Sequence, residues 1–261
     1  MPLTDIAANL TSDQFDRDRD EVVQRALAAG VERLVVVGTT LRESRFALEL
    51  ARSHPDVMIP TVGVHPHDAG HLDDAAFAEL AALAAEPDVR AVGECGLDFN
   101  RDWWPRDVQA RAFERQIELA LEVGKPLYLH EREAADALLE QLIPVRERLG
   151  RVVVHCFTGE AATLERYLDL DFNIGITGWI CDERRGGHLH ELVTRIPADR
   201  LMIETDAPYL LPRTLRPKPK SRRNEPSYLP EVARVVAELR GVTPEELAAQ
   251  TTATAATFFG I

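Results

Sequence analysis

VRAVGECGLDF, at residues 89–99, is a mostly apolar run of the kind that forms a strand buried on both faces. It carries a carboxylate, Glu94, among apolar and small neighbours. Similar short runs recur from one end of the chain to the other, and each is followed by a longer segment rich in alanine and glutamate. The other predicted strands cover residues 3–9, 33–38, 58–65, 126–130, 151–157, 172–179 and 201–206, so that eight strands are expected.

The segments between these runs have the apolar spacing of amphipathic helices. Eight strand–helix alternations within 261 residues predict one closed α/β fold, a single (β/α)8 TIM barrel, which needs roughly 250 residues. Glycine-rich dinucleotide fingerprints, typical of an open sheet, are absent. We expect one domain over residues 1–261. Predicted helices include residues 16–29, 107–123, 134–149, 230–239 and 244–258.

Composition narrows the class of protein. The net charge of −13 argues against a surface that binds nucleic acid over its whole extent, so any polyanion site must be local. The scattered Cys95, Cys156 and Cys181 indicate neither a disulfide framework nor a cysteine-rich zinc site. No signal peptide or membrane-spanning run is visible, which favours a cytoplasmic protein without a membrane partner.

Titratable groups stand at or near the ends of four predicted strands. Catalytic groups of such barrels lie at the carboxyl ends of the strands and in the loops that follow. A single histidine there is more often an ordinary hydrogen-bonded residue, but two imidazoles and two carboxylates together predict a divalent-metal site. Mixed ligands leave open Mg²⁺, Mn²⁺ or Zn²⁺. The four predicted ligands are Glu94, His130, His155 and Asp206.

The motif GVHPHD, residues 63–68, adds two histidines after the third strand. We expect His65 to reach the site, whereas a turn role beside Pro66 is equally compatible with His67. Strand alternation further predicts that Tyr128 points into the barrel with His130, and Val153 with His155.

A basic segment follows the eighth strand directly. It contains no acidic residue, and its position places it at the barrel mouth, where it is expected to contact backbone phosphates; a solvated, proline-rich loop is the alternative. Aromatic residues at predicted strand ends suit stacking on unpaired bases, although each one alone is more often structural. The predicted phosphate-binding residues are Arg213, Arg216, Lys218, Lys220, Arg222 and Arg223, and the aromatic residues are Phe99, Trp103, Trp104, Phe157, Trp179 and Tyr209.

At this point the chain resembles the TatD family of metal-dependent deoxyribonucleases, within the wider amidohydrolase-like barrels. The likeness covers nearly the whole chain and is nearest to the branch that includes TatD itself. The segments that carry it are NLTS (9–12), GTTLRES (38–44), GVHPHD (63–68), GECGLDFN (93–100), HCFTG (155–159), GITGWICDERRG (175–186), ETDAPYLLPR (204–213) and SRRNEP (221–226).

The resemblance implies a phosphodiesterase that depends on Mg²⁺ or Mn²⁺ and has 3′→5′ exonuclease activity on single-stranded DNA or RNA. It also implies a link to DNA repair. It implies that Glu94 is a metal ligand able to bridge two ions, and that His130 and His155 hold one of them. Asp206 would hold the other ion or orient the attacking water. His65 would contact the substrate phosphate, and Glu204 would be a supporting catalytic carboxylate.

One departure concerns the first strand. Most of the wider family carries a DxHxH pattern there, whereas Ala7 and Asn9 stand at the two histidine positions here. Alanine cannot ligate and asparagine offers only a neutral oxygen, so Mg²⁺ is favoured over tightly held Zn²⁺, with one ion at rest.

Two other classes of function remain. The first is a barrel hydrolase acting on a small amide or lactone, many of which use a carbamylated lysine that has no counterpart at a strand end here. The second is a relative that binds without turnover, having lost the first-strand histidines. No protein partner is indicated, and a monomer is expected.

Overall fold

Eight parallel strands form one sheet whose order follows the chain, from β1 through β8. The structure is a computed structural model and describes residues 2–261. The expected α/β barrel is confirmed. The strands are β1 Leu3–Ala8, β2 Val31–Val36, β3 Met58–Val62, β4 Ala91–Asp98, β5 Leu127–Arg132, β6 Val152–Val154, β7 Asn173–Ile176 and β8 Leu201–Ile203.

Helices connect the strands and cover the outside of the sheet. Among residues 2–261, none of them combines the length and the apolar composition needed to span a membrane. They are α1 Arg19–Ala28, α2 Leu41–Ser53, α3 Asp74–Ala85, α4 Arg106–Val123, α5 Ala135–Leu142, α6 Ala161–Asp169, α7 Leu189–Arg195, α8 Leu229–Arg240 and α9 Pro244–Phe259.

The sheet closes where β1 meets the loop after β8. The Asn9 amide donates to the Ala207 carbonyl at 2.8 Å, and the Asp206 amide donates to the Ala7 carbonyl at 2.9 Å. The buried Asp5 carboxylate joins the same two segments, because it accepts from the amide of Thr205 at 2.9 Å and from its hydroxyl. Burial raises the pKa of Asp5 to about 7. Closure therefore occurs at the end of the barrel that carries the predicted site.

Two apolar clusters separate the inside of the barrel from its outer layer. The inner one contains Tyr128, Val153 and Met202 together with Phe258 and Phe259 of α9. The outer one packs Leu127 and Leu129 against the helices. The predicted inward orientation of Tyr128 and Val153 is thus confirmed.

Several predicted elements are longer than the observed ones. The predicted strands 151–157 and 201–206 end at Val154 and Ile203, because Cys156 and Asp206 adopt left-handed backbone angles of φ 48° and 54°. His155 and Asp206 therefore lie in loops. The predicted helix 134–149 ends as α-helix at Leu142, and a 3-10 turn containing Pro144 follows, because proline has no amide hydrogen to donate.

Candidate active site

A β-bulge in β4 aims Glu94 into the barrel. Val92 pairs with Leu127 and Cys95 with Leu129, so three steps along β4 correspond to two along β5. One extra residue reverses the alternation of side chains beyond it. Ala91 consequently belongs to the inner cluster, while Cys95, four residues later, belongs to the outer one. The carboxylate of Glu94 enters the mouth in place of the Cys95 thiol.

Three imidazoles converge on one oxygen of Glu94. Its Oε1 lies 2.8 Å from His155 Nε2, 3.0 Å from His130 Nδ1 and 3.3 Å from His65 Nε2. Burial raises the pKa of this carboxyl, but the charge of the nearby His155 and the hydrogen bonds from His130 and His155 outweigh burial and hold the pKa well below its usual value. The strand ends of β3, β4, β5 and β6 thus supply one compact cluster.

Asp98 sets the orientation of His130. Its Oδ2 lies 3.2 Å from His130 Nε2 and 2.8 Å from His67 Nε2, and its Oδ1 accepts from the amides of Asn100 and Arg101 at 3.1 and 2.8 Å. A carboxylate bound to one nitrogen of an imidazole fixes the proton there. His130 therefore donates from Nε2, and Nδ1 is the nitrogen that faces Glu94.

The ring of His155 has the opposite orientation to that of His130, because it faces Glu94 with Nε2 and not with Nδ1. Its Nδ1 lies 3.5 Å from Glu204 Oε1, so Nε2 is the nitrogen that faces Glu94. Burial lowers the pKa of His155, but Glu94 and Glu204 outweigh it and raise the pKa well above its usual value. Glu204 is fully buried, and its Oε1 also accepts from the Cys156 amide.

His65 differs from the other two histidines in its protonation. It precedes the 3-10 turn Pro66–His71, and its Nδ1 accepts the amide hydrogen of His67 at 3.0 Å. Burial lowers its pKa to about 4, so the ring is neutral. With Nδ1 acting as an acceptor, the hydrogen sits on Nε2. His65 therefore points an N–H donor at the centre of the site, which suits an anionic oxygen and not a metal ion.

Asp206 lies on the β8 side of the site. Its Oδ1 accepts from Asn9 Nδ2 at 2.9 Å, which places the residue that replaces a family histidine next to a predicted catalytic carboxylate. Burial raises the pKa of Asp206 to about 7, although the nearby His155 lowers it.

The donor atoms fit a divalent cation. His65, Glu94 and His130 bring potential ligand atoms within 4.8 Å of one another, and His155 Nε2 lies 2.8 Å from Glu94 Oε1. Because Nε2 of His65 carries hydrogen, the atoms available to a cation are those of Glu94, His130 and His155. Two atoms about 3 Å apart match neighbouring ligands of one octahedral ion bound at about 2.1 Å. His155 Nδ1 and Glu204 Oε2 are buried without a hydrogen-bond partner. Two carboxylates flanking one imidazole form a centre that a cation stabilises.

The six predicted phosphate-binding residues do not share one environment. Arg223 is held by the Asp18 carboxylate at 2.7 Å and by Glu225 at 2.9 Å. Arg213 lies 3.8 Å from Asp182, and Arg216 donates to backbone carbonyls. In contrast, Lys218, Lys220 and Arg222 are exposed and form no ion pair with any residue in the range 2–261. The loop is anchored by the buried Asn224, whose side chain donates to the Thr205 carbonyl at 2.9 Å.

Three mouth residues were not among the predicted site residues. Asp98 is in direct contact with His130 and His67, and Arg132 donates to Thr158 at 3.0 Å with Trp179 beneath its guanidinium. Both follow a predicted ligand at even spacing, Asp98 after Glu94 and Arg132 after His130. Strand alternation applied to the sequence could therefore have identified both residues as facing the mouth. His67, for which a turn role was equally compatible, does both: it forms part of the turn and contacts Asp98.

A parallel eight-stranded α/β barrel with histidines and carboxylates converging at its carboxyl end is typical of metal-dependent barrel hydrolases. The family described as TatD related DNase matches residues 4–260, and the chain belongs to this family. The resemblance drawn from the sequence motifs is confirmed.

Curated relatives match over nearly the whole chain. The 3′-5′ ssDNA/RNA exonuclease TatD of Erwinia tasmaniensis is 51% identical over 98% of this chain and 99% of its own length. The protein of the same name from Salmonella typhimurium is 50% identical over 98% of each. The prediction of a nuclease is confirmed by this family and these relatives.

Solved structures confirm the architecture. A TatD homologue from Escherichia coli superposes with a TM-score of 0.89 at 28% identity, covering 99% of this chain and 98% of its own. A TatD family hydrolase from Entamoeba histolytica gives a TM-score of 0.90 at 24% identity over 99% of this chain and 98% of its own, which supports the fold alone.

Proposed function

We propose that this protein is a metal-dependent exonuclease that hydrolyses terminal phosphodiester bonds of single-stranded DNA or RNA in the 3′→5′ direction. The observation that carries the proposal is the convergence of three imidazoles on Glu94 Oε1 at the mouth of the barrel. The relatives that share about half of the residues carry that activity in their names.

Glu94, His130 Nδ1 and His155 Nε2 would hold the metal, with Asp206 as a further ligand. A bound divalent ion polarises a phosphoryl oxygen and lowers the pKa of bound water. Mg²⁺ is the proposed ion, with Mn²⁺ or Zn²⁺ as alternatives, because Ala7 and Asn9 stand where the wider family has two histidines, and the oxygen of asparagine suits a hard cation.

Asp206 would position the attacking water and accept its proton. Asn9 occupies Oδ1, which leaves Oδ2 without a hydrogen bond to any residue in the range 2–261. A carboxyl with a pKa of about 7 is suited to proton transfer near neutral pH. His65 would donate from Nε2 to a phosphate oxygen, and Glu204 would hold His155 in position.

The exposed cations of the loop after β8 would bind phosphates upstream of the cleaved bond. Lys218, Lys220 and Arg222 are the residues proposed for this contact, and Arg213 and Arg216 lie in the same loop. Arg223 instead pairs with Asp18, the residue just before α1, and so holds the loop against the start of that helix. A role in DNA repair, a cytoplasmic location, a monomeric state and a single domain over residues 1–261 stay predictions.

The two rival functions have less support. The lysines of the chain are Lys125, Lys218 and Lys220, and Lys125 binds the carbonyls of Ala84 and Glu86 at 2.5 and 2.6 Å, just before β5 and away from the mouth. A carbamylated lysine that bridges metals inside the barrel therefore has no candidate. A relative that binds without turnover is tested by the experiment that follows.

The experiment uses chelator-treated protein and a single-stranded oligonucleotide with a different fluorophore at each end. Mg²⁺, Mn²⁺ or Zn²⁺ is then added separately to the wild type, to Glu94→Ala and to His155→Ala. We expect metal-dependent shortening from the 3′ end by the wild type. Both variants should lose at least about 100-fold in rate while they keep the circular dichroism spectrum of the fold.

Glu160→Gln is the matched control, because this exposed carboxylate lies just before α6 at the mouth and makes no capping hydrogen bond. It should retain wild-type activity. Full activity in both Glu94→Ala and His155→Ala would overturn the site. Absence of cleavage by the wild type with every metal would instead favour a protein that binds without turnover.

A further inference from the structure

Trp103 is an exposed aromatic side chain beside the site. It is 66% exposed, and the other large, strongly exposed apolar residues among residues 2–261 are Ile143 at 54% and Tyr209 at 53%. Trp103 follows β4, and Tyr209 follows β8, so the two stand on opposite sides of the barrel mouth. Ile143 follows α5 and leads toward the start of β6, at the opposite end of the barrel. Lone exposed apolar residues are common on protein surfaces, and what distinguishes Trp103 is its place beside the site.

A continuous series of rings connects Trp103 with the proposed metal ligands. The ring centroids of His130 and His65 are 4.3 Å apart, those of His65 and His67 are 4.2 Å apart, and those of His67 and Trp103 are 4.2 Å apart. The last pair is inclined by only 34°. One face of the indole thus rests on His67, and the rest of the ring is open to solvent.

The loop that carries Trp103 is held rigidly. The indole nitrogen of the next residue, Trp104, donates to the His67 carbonyl at 3.0 Å. The buried Gln109 donates to the Trp104 carbonyl at 2.9 Å, and Arg106 pairs with Asp102 at 2.9 Å. Because these contacts order the loop in advance, a ligand that stacks on Trp103 loses little free energy to loop ordering.

We propose that Trp103 is the stacking platform for a nucleobase of one of the two nucleotides that flank the cleaved phosphodiester bond. This inference rests on the proposed function, since it takes Glu94 and its histidines as the place where the phosphate binds. An unpaired base presents a flat apolar face, and indole stacking on such a face tolerates any base. A base paired within a duplex is stacked on its neighbours and presents no free face. The platform therefore accounts for a preference for single strands.

The test compares oligonucleotides that differ by one base. One substrate is complete, and two others carry an abasic residue at either nucleotide flanking the cleaved bond. The metal-loaded wild type, Trp103→Ala and Ile143→Ala are assayed for kcat and KM on all three. Ile143→Ala is the matched control, because it removes a similarly exposed apolar side chain at the other end of the barrel.

We expect removal of one of the two bases to lower kcat/KM about tenfold in the wild type and in Ile143→Ala, chiefly through KM. In Trp103→Ala the complete substrate should already show that loss, and removal of the base should add less than about twofold. A merely structural role would lower activity in Trp103→Ala but leave the dependence on the base intact.

The inference is overturned when Trp103→Ala retains the full wild-type dependence on both bases. That outcome leaves the proposed function standing, because the wild type still cleaves the complete substrate. A wild type that cleaves no oligonucleotide contradicts the proposed function itself, and is recognised before any Trp103 variant is compared.

Discussion

The three histidines beside Glu94 are not chemically equivalent. In each of them a different group contacts the ring nitrogen that faces away from Glu94. Asp98 accepts from Nε2 of His130, while Glu204 faces Nδ1 of His155, so Nδ1 of His130 and Nε2 of His155 are the nitrogens that face Glu94. The backbone amide of His67 occupies Nδ1 of His65 and turns its Nε2 into a donor. The hydrogen bonds of the surrounding residues thus distinguish His65 from His130 and His155, in agreement with the proposed roles of phosphate donor and metal ligand.

Replacement of Asp98 by asparagine should move the proton of His130 from Nε2 to Nδ1. The amides of Asn100 and Arg101 hold the oxygen position Oδ1, so the new NH₂ group would take the place of Oδ2 and face His130 Nε2. His130 would then accept at Nε2 and carry its hydrogen on Nδ1, where the metal should bind. We expect Asp98→Asn to weaken metal affinity about 10- to 100-fold, as measured by calorimetric titration with Mn²⁺.

Asp102→Asn is the control for that measurement, because Asp102 lies in the same loop and pairs only with the exposed Arg106. Its metal affinity should equal that of the wild type. An unchanged affinity in Asp98→Asn, with the fold intact by circular dichroism, would show that Asp98 does not orient His130.

Among the elements, β4 has the most direct influence on the site. Gly93 and Gly96 adopt φ angles of +145° and +134°, which side chains larger than hydrogen rarely tolerate, and they border the bulge that turns Glu94 inward. α4 supports the same region with buried amides. Gln109 binds the backbone of Asp98, and Gln116 binds both backbone groups of Val64.

Gly96→Ala should disrupt β4. An added Cβ would lie 2.0 Å from the carbonyl oxygen of His130, in a backbone conformation that alanine avoids. We expect the free energy of unfolding to fall by at least about 1–3 kcal/mol and metal affinity to fall with it. Thermal unfolding followed by circular dichroism measures the first effect.

Gly150→Ala provides the comparison, since a Cβ at that position meets no atom within 4 Å. Its melting temperature should stay within about 2 °C of the wild type, or rise slightly because the unfolded chain loses freedom. Equal melting temperatures in the two variants would contradict the proposed importance of the bulge.

At the scale of the whole molecule, the chain carries a net charge of −13, and the basic loop after β8 is a local exception to that acidic balance. Long-range repulsion by the acidic surface opposes nucleic acid except where local cations neutralise phosphates. Three of these cations, Lys218, Lys220 and Arg222, are free of ion pairs with residues 2–261 and stand on the side of the barrel that holds Glu94.

Replacement of these three residues by alanine should weaken single-strand binding and change its salt dependence. Each phosphate contact on a single strand contributes about 0.7 to the slope of log K against log salt concentration, so loss of three contacts should reduce the slope by about 2. Fluorescence anisotropy of a labelled oligonucleotide, measured at several salt concentrations, gives the slope.

A triple variant with the same change in net charge is the control. Arg52, Arg195 and Arg200 stand at the opposite end of the barrel, where each pairs with exposed carboxylates. Alanine at these positions should leave the slope unchanged. Equal slopes for both triple variants would mean that net charge, and not the loop, governs binding.

The sequence by itself determined the class of fold and most of the residues of the site. Eight apolar runs separated by amphipathic segments specify a barrel, because strands and helices with that periodicity can bury their apolar faces in few other ways. The rule that strand ends meet at one mouth was enough to select Glu94, His130 and His155. Motifs such as GECGLDFN and HCFTG then identified the family.

Only the tertiary structure decided which face of β4 enters the barrel and which nitrogen of each histidine is free. A bulge inserts one residue and reverses alternation, and the register with β5 that defines it depends on contacts across the sheet. The same holds for Asp98 and for the basic loop, where Arg223 is bound by Asp18, 205 residues away in the chain. Contacts between segments distant in sequence, which no local pattern encodes, thus distinguish Arg223 from Lys218, Lys220 and Arg222, which are exposed and form no ion pair with residues 2–261.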